Sequence, residues 1–119
     1  MEMLKYTFAP TLHWGRFVAL ISLFDVLVFI FCMIASLVIS GTLSSSHFLG
    51  PTMDVVYYFD KNPYEIVHDY QIWRLFTPIF LHSGFQHIVS NLAMQLIFGS
   101  LLESMVGFNH TMYLYFISG

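Results

Sequence analysis

Charge is scarce in this chain. Lys and Arg number 4 and Asp and Glu 7 in 119 residues, so 9% of the chain is charged and the net charge is −3 with histidine neutral. Soluble domains carry about 25% charged residues. A chain this poor in them, 57% hydrophobic and with mean hydropathy +0.71, has too little polar surface to cover a water-soluble globule. The shortage of cations also argues against nucleic-acid binding, which needs clustered Lys and Arg against phosphates. Cysteine is nearly absent. The single Cys32 permits neither an internal disulfide nor a multi-cysteine zinc site, and its apolar surroundings read as core or lipid-facing filler. No internal repeat or low-complexity tract is visible.

What the sequence has instead is long apolar runs. Residues 1–16 form a short lead-in with Lys5 and Arg16. Residues 17–40 are apolar apart from Asp25, long enough to cross about 30 Å of hydrocarbon as a helix and well beyond the ~7–15 apolar residues of a secretory signal. Gly41, Ser44, Ser45, Ser46, Gly50 and Pro51 end the run. Residues 41–78 are expected to form an interfacial loop. They mix Asp54, Asp60, Lys61, Glu65, Asp69 and Arg74 with Tyr57, Tyr58, Phe59, Tyr64, Tyr70 and Trp73, a composition that suits the membrane–water boundary. A loop of that length should contain short helices lying in the interface.

A second transmembrane helix is expected over 79–104, a turn over 105–110 and the start of a third span over 111–119. That last run is shorter than the about twenty residues a span needs. The sequence therefore reads as an N-terminal fragment of a longer multi-pass protein, truncated within its third span. Lys5 and Arg16 precede the first span, which places the N-terminal segment 1–16 in the cytoplasm and the loop on the outer side. Asn109, His110 and Thr111 match the glycosylation pattern, but on this topology they face the cytoplasm and should stay unmodified. Asp25 is expected to be a partly buried acid satisfied by Ser22 or a neighbouring helix.

The residues between 73 and 107 carry unusual polarity for a membrane segment: His82, His87, Asn91, Gln95 and Glu103. Such groups are costly in a bilayer and mark function or helix contacts. From Asn91 they follow a step of four with Gly99 and Gly107. Each step turns about 40° on a helix, which makes a slowly winding stripe suited to close helix contact. His87 and Asn91 share one helix face, and each offers a hydrogen-bond donor. Two fixed donors in a low-dielectric cavity suit a developing oxyanion. They equally suit an interhelical hydrogen-bonded pair, worth about 0.6 kcal/mol per bond, and spacing alone favours that second reading. His82 precedes His87 by five positions, about 140° round on a continuous helix. The two make poor joint metal ligands, and no metal or other cofactor is expected. His82 should sit above the helix start and bond nearby backbone. Trp73 and Arg74 read as interfacial anchors.

This stretch resembles the rhomboid intramembrane serine proteases. The matching features are the Trp73, Arg74 pair, then Thr77, Pro78, Leu81 and His82, then His87 and Asn91, and last Gly99, Glu103 and Gly107, all in the family's order and spacing. The resemblance implies an all-α, polytopic helical membrane fold with a rhomboid-like core. It assigns His87 and Asn91 to the oxyanion pocket, and Trp73 and Arg74 to shaping the loop. His82 takes a recurring structural position, Glu103 a buried lock between spans, and Gly99 and Gly107 a close helix contact.

One departure is large. The family's nucleophilic serine lies in a later G-x-S-G motif and its activating histidine in a last core span, and neither occurs here. Ser118 with Gly119 comes too early, Gly99 with Ser100 is not that motif, and no serine has an identifiable base partner in the sequence. The expectation is therefore part of a serine endopeptidase that cleaves membrane-anchored proteins in or near their transmembrane segments. Its partners would be those substrates and the lipid bilayer, with no nucleic acid, and these residues would be inactive alone. The alternative is a rhomboid-like pseudoprotease that binds or escorts membrane clients without cutting them.

Overall fold

A computed structural model describes residues 16–45 and 48–119. Of the N-terminal segment 1–16, only Arg16 falls among them. The described backbone is helical throughout, apart from loops and one isolated β-bridge between Ser44 and Gly50. The all-α class follows from the composition: a backbone without water must satisfy its own polar groups within each segment.

Helix α1, Phe17–Ser40, has no proline or glycine inside it and is apolar almost all round, the pattern of a buried or membrane helix. Helix α2, Met53–Phe59, ends at Asp60. Helix α3, Pro63–His68, starts with proline at its first position, where the missing N–H costs nothing. The Asn62 side chain caps it, accepting from Tyr64 N at 3.1 Å and Glu65 N at 3.4 Å. Two short 3₁₀ turns follow, Ile72–Leu75 and Thr77–Phe80. Helix α4 then runs Phe85–Val106, and α5 runs Phe108–Ser118. By length and composition, α1 and α4 can each cross a membrane.

Three details differ from a simple hydropathy reading. The α4 backbone starts at Phe85 rather than at residue 79. Leu81 is extended (φ −86°, ψ 126°), and Phe85 N donates to Leu49 O at 2.8 Å, so the helical ladder opens only with Ile88 N to Gly84 O. Within α4, Gln95–Gly99 forms a π turn. Its i→i+5 bonding inserts an extra residue into the turn, so the four-residue stripe slips in phase there. Ser100 Oγ donates to Leu96 O, and also to Ile97 O at 3.3 Å, taking up carbonyls next to the wide turn. The connection to α5 is Gly107 alone, at φ +83°, a left-handed backbone that favours glycine.

The described residues pack as two compact units, one within residues 25–88 and the other of residues 16–24 with 89–119. In the described part of the second, Phe17 meets Phe108, Tyr115 and Phe116 edge-on, at ring separations of 5.7, 5.5 and 6.2 Å. Gln95 Nε2 donates to Ser22 Oγ at 3.0 Å. A Cβ on Gly99 would lie 3.1 Å from Val18 Cγ2, so the helices meet closely there. Glu103 is buried and accepts from Phe17 N at 2.9 Å and Val18 N at 3.0 Å. These are the first amides of α1, which have no partner inside their own helix and favour an anion.

In the unit of residues 25–88, Ser36 Oγ donates to Cys32 O at 2.9 Å and accepts from Thr52 N at 2.9 Å, tying α1 to the start of α2. Asp25 is 1% exposed.

Candidate active site

The loop before α4 is built around Arg74, which is 3% exposed. Its Nε donates to Gln71 Oε1 at 2.6 Å, and its guanidinium donates to Tyr57 O at 2.7 Å and Asp60 O at 2.9 Å. The same group faces the rings of Tyr57 and Tyr58 at 5.8 and 5.9 Å. Thr77 Oγ1 donates to Phe59 O at 2.6 Å, adding a second tie. Trp73 stays 43% exposed. A planar fork reaching three acceptors at once is geometry that lysine cannot copy. Replacing Arg74 by lysine should loosen residues 53–80, at about 1–3 kcal/mol for each charge-assisted bond lost. Limited proteolysis should then cut inside that segment, while the wild-type loop resists.

A second loop seats the start of α4. Phe48 and Leu49 both have positive φ, 57° and 65°, a conformation costing roughly 1–2 kcal/mol each. It is held by the paired bonds between Ser44 and Gly50, at 2.9 and 3.0 Å, and by the bond from Phe85 N to Leu49 O. Gly50 lies against residues 83–84. A Cβ on it would collide with the Ser83 carbonyl and approach Gly84 Cα to 2.9 Å. The backbone at Ser83 is therefore fixed before any side chain is considered.

His82 is 5% exposed. Its Nδ1 lies 3.0 Å from Phe80 O. A carbonyl only accepts, so Nδ1 carries the proton and Nε2 does not. His82 precedes the apolar helix, and its burial lowers the imidazole pKa below the ordinary value, with the Phe80 bond opposing and neighbouring His87 adding to the shift.

The His82 and His87 rings meet edge-to-face with centroids 5.4 Å apart. The 140° separation drawn from sequence holds only for a continuous helix, and the chain is not helical between residues 81 and 84. Even so, no group of three metal-ligating side chains forms among the described residues.

On its other side His87 has a partner that sequence reasoning missed. Ser83 Oγ lies 3.1 Å from His87 Nδ1. The available signal was a serine four positions ahead of the histidine where a helix begins. His87 and Asn91 follow one another by a turn on α4, and both are exposed. Glu103 and Gly99 make their contacts further along, whereas Gly107, expected in a close helix contact, has open space around it and serves instead as the positive-φ joint to α5.

Residues 69–119 match the rhomboid domain family model. Rhomboid-like protease 2 of Toxoplasma gondii is 30% identical over 107 residues, covering 90% of this chain and 36% of that protein. This chain belongs to the rhomboid family. Further similar rhomboids are RHOMBOID-like protein 1 of Arabidopsis thaliana, 43% identical over 54 residues (45% of this chain, 14% of that protein), and the mitochondrial RHOMBOID-like protein 6 of the same plant, 35% identical over 78 residues (65% and 25%). This rhomboid chain thus spans about a third or less of the length of these relatives. No solved structure matches it. A rhomboid domain together with two apolar helices of spanning length makes this a membrane protein.

Proposed function

We propose that this rhomboid chain is part of a multi-pass intramembrane serine endopeptidase. In that protein His87 and Asn91 donate hydrogen bonds to the oxyanion formed during cleavage of a transmembrane protein. The observation that carries the reading is the placing of both polar side chains one turn apart on a helix of membrane-spanning length. Polar groups on such a helix face a protein interior or a water-filled cavity rather than lipid. There, fixed donors act on charge that develops only in the transition state.

On this reading residues 17–40 and α4 span the bilayer, the N-terminus is cytoplasmic, and the loop lies at the outer interface. The serine nucleophile and its histidine base belong to the rest of the protein. The serine attacks the scissile carbonyl, whose oxygen gains negative charge. The base takes the serine proton and later delivers it to the leaving amine. The Nε2–H of His87 and the side-chain amide N–H of Asn91 would meet that oxygen. Trp73, Arg74 and His82 hold the surrounding loop, Glu103 and Gly99 hold the helices, and Gly107 makes the joint to α5.

The test uses the full-length protein in liposomes, with a transmembrane substrate and a fluorophosphonate probe. Cleavage with stoichiometric labelling of a serine beyond residue 119 is the expected result. Labelling of a serine within residues 1–119 would overturn the division of roles. A folded protein that binds the substrate but neither cuts it nor takes up the probe would make it a pseudoprotease that escorts membrane clients.

A further inference from the structure

We propose that Ser83 is a positioning residue that holds the ring of His87 so that its Nε2 keeps a proton to donate. The inference rests on the oxyanion reading above and adds a residue to it.

His87 can assist an oxyanion only through a ring nitrogen that bears hydrogen. In a neutral imidazole one nitrogen donates and the other accepts, and a hydrogen bond to one decides the state of the other. Nδ1 of His87 is engaged by Ser83 Oγ at 3.1 Å. A hydroxyl both donates and accepts. When the hydroxyl donates to Nδ1 of neutral His87, the proton is left on Nε2. Toward the imidazolium it accepts from Nδ1–H, and Nε2 still carries its proton. With the hydroxyl donating to the neutral ring, Nε2–H is thus a donor in both charge states. A carbonyl in place of the hydroxyl would force the proton onto Nδ1, as Phe80 O does for His82.

Two further observations show that the arrangement is held in place. The His82 ring stands edge-to-face against His87 at 5.4 Å and restricts its rotation. Ser83 is held from below, because its backbone packs against Gly50 and the next helical amide, Phe85 N, is bonded to Leu49 O. The strained Phe48, Leu49 pair therefore serves to place one hydroxyl beside one imidazole.

The experiment compares Ser83→Ala, Ser83→Thr, His87→Ala and the Ser83→Ala/His87→Ala double variant of the full-length protein, with rates normalised to folded enzyme. Ser83→Ala should lower kcat about tenfold with little change in KM, well short of the ~10⁴ that a wrong tautomer costs a soluble triad. Ser83→Thr should restore most of the rate. In the His87→Ala background the Ser83 change should cost nothing further. The ¹⁵N spectrum of labelled histidine should show His87 shifting from Nε2–H toward a tautomer mixture in Ser83→Ala.

An unchanged tautomer, or the same loss with and without His87, would reduce Ser83 to a purely structural part. If His87→Ala itself turns over at the wild-type rate, the oxyanion reading fails. The tautomer measurement still decides whether Ser83 controls the ring.

Discussion

Alanine at Asn91 or His87 of the full-length protein should reduce substrate turnover by up to about 10²-fold while leaving the protein folded. One oxyanion donor in a soluble protease contributes roughly 2.7–4 kcal/mol to the transition state. The loss should fall at or below the lower end, because the other side chain and a backbone N–H can still meet the oxygen. On the proposed reading both side chains line a water-filled cavity, so truncation opens no void in a packed core and thermal stability should stay close to wild type. The effect should fall on kcat, since an interaction made only in the transition state leaves substrate binding unchanged. Cleavage rates in liposomes, normalised to folded enzyme, provide the check. Wild-type rates for both variants at equal stability would remove the catalytic role and favour the client-binding alternative.

Glu103 should behave in the opposite way. Its carboxylate accepts two amide N–H groups at the start of α1, from Phe17 at 2.9 Å and Val18 at 3.0 Å, and it is 5% exposed. Alanine would leave both buried donors without that acceptor, at about 1–3 kcal/mol each, and would remove an anion from a helix N-terminus, where it is favoured by about 0.3–1 kcal/mol. Glu103→Ala should therefore lower yield and thermal stability sharply, with activity falling only in step with folded protein. Glu103→Gln keeps one acceptor oxygen and should lose roughly half as much. A Glu103→Ala protein with wild-type melting but reduced kcat would contradict this division between structure and chemistry.

The architecture was readable where it depends on composition. Long apolar runs, few charges and no proline or glycine inside residues 17–40 leave little choice but helix. The start of α3 at Asn62 and Pro63 also has a local mechanism, although no helix boundary was drawn there from the sequence. Where the structure goes beyond the sequence, the cause is contact between distant segments. Phe85 begins α4 because Leu49 supplies an acceptor, and Leu49 carries no mark of that. The His82 and His87 rings meet because the helix starts late, so a projection that assumed continuous helix placed them apart. The partners of Glu103 are main-chain amides, which have no signature in any side chain. The π turn at Gln95–Gly99 is similarly silent: apart from Gly99 its residues are common in helices, and the glycine reads as a close helix contact rather than a wide turn. Ser83 was missed for a different reason: serine is common near helix starts, and only the fold decides which neighbour it touches.

The Glu103 clamp also sets an order of events during biosynthesis. Phe17 and Glu103 stand 86 residues apart. At 5–20 residues per second, roughly 4–17 s separate the emergence of one from the other. Throughout that interval the leading amides of α1 must borrow water or lipid headgroups as acceptors. The first helix can enter the bilayer early, but its leading end gains its permanent partner only after most of α4 has been made. A nascent chain arrested before Glu103 would thus leave the leading amides of α1 without their side-chain acceptor.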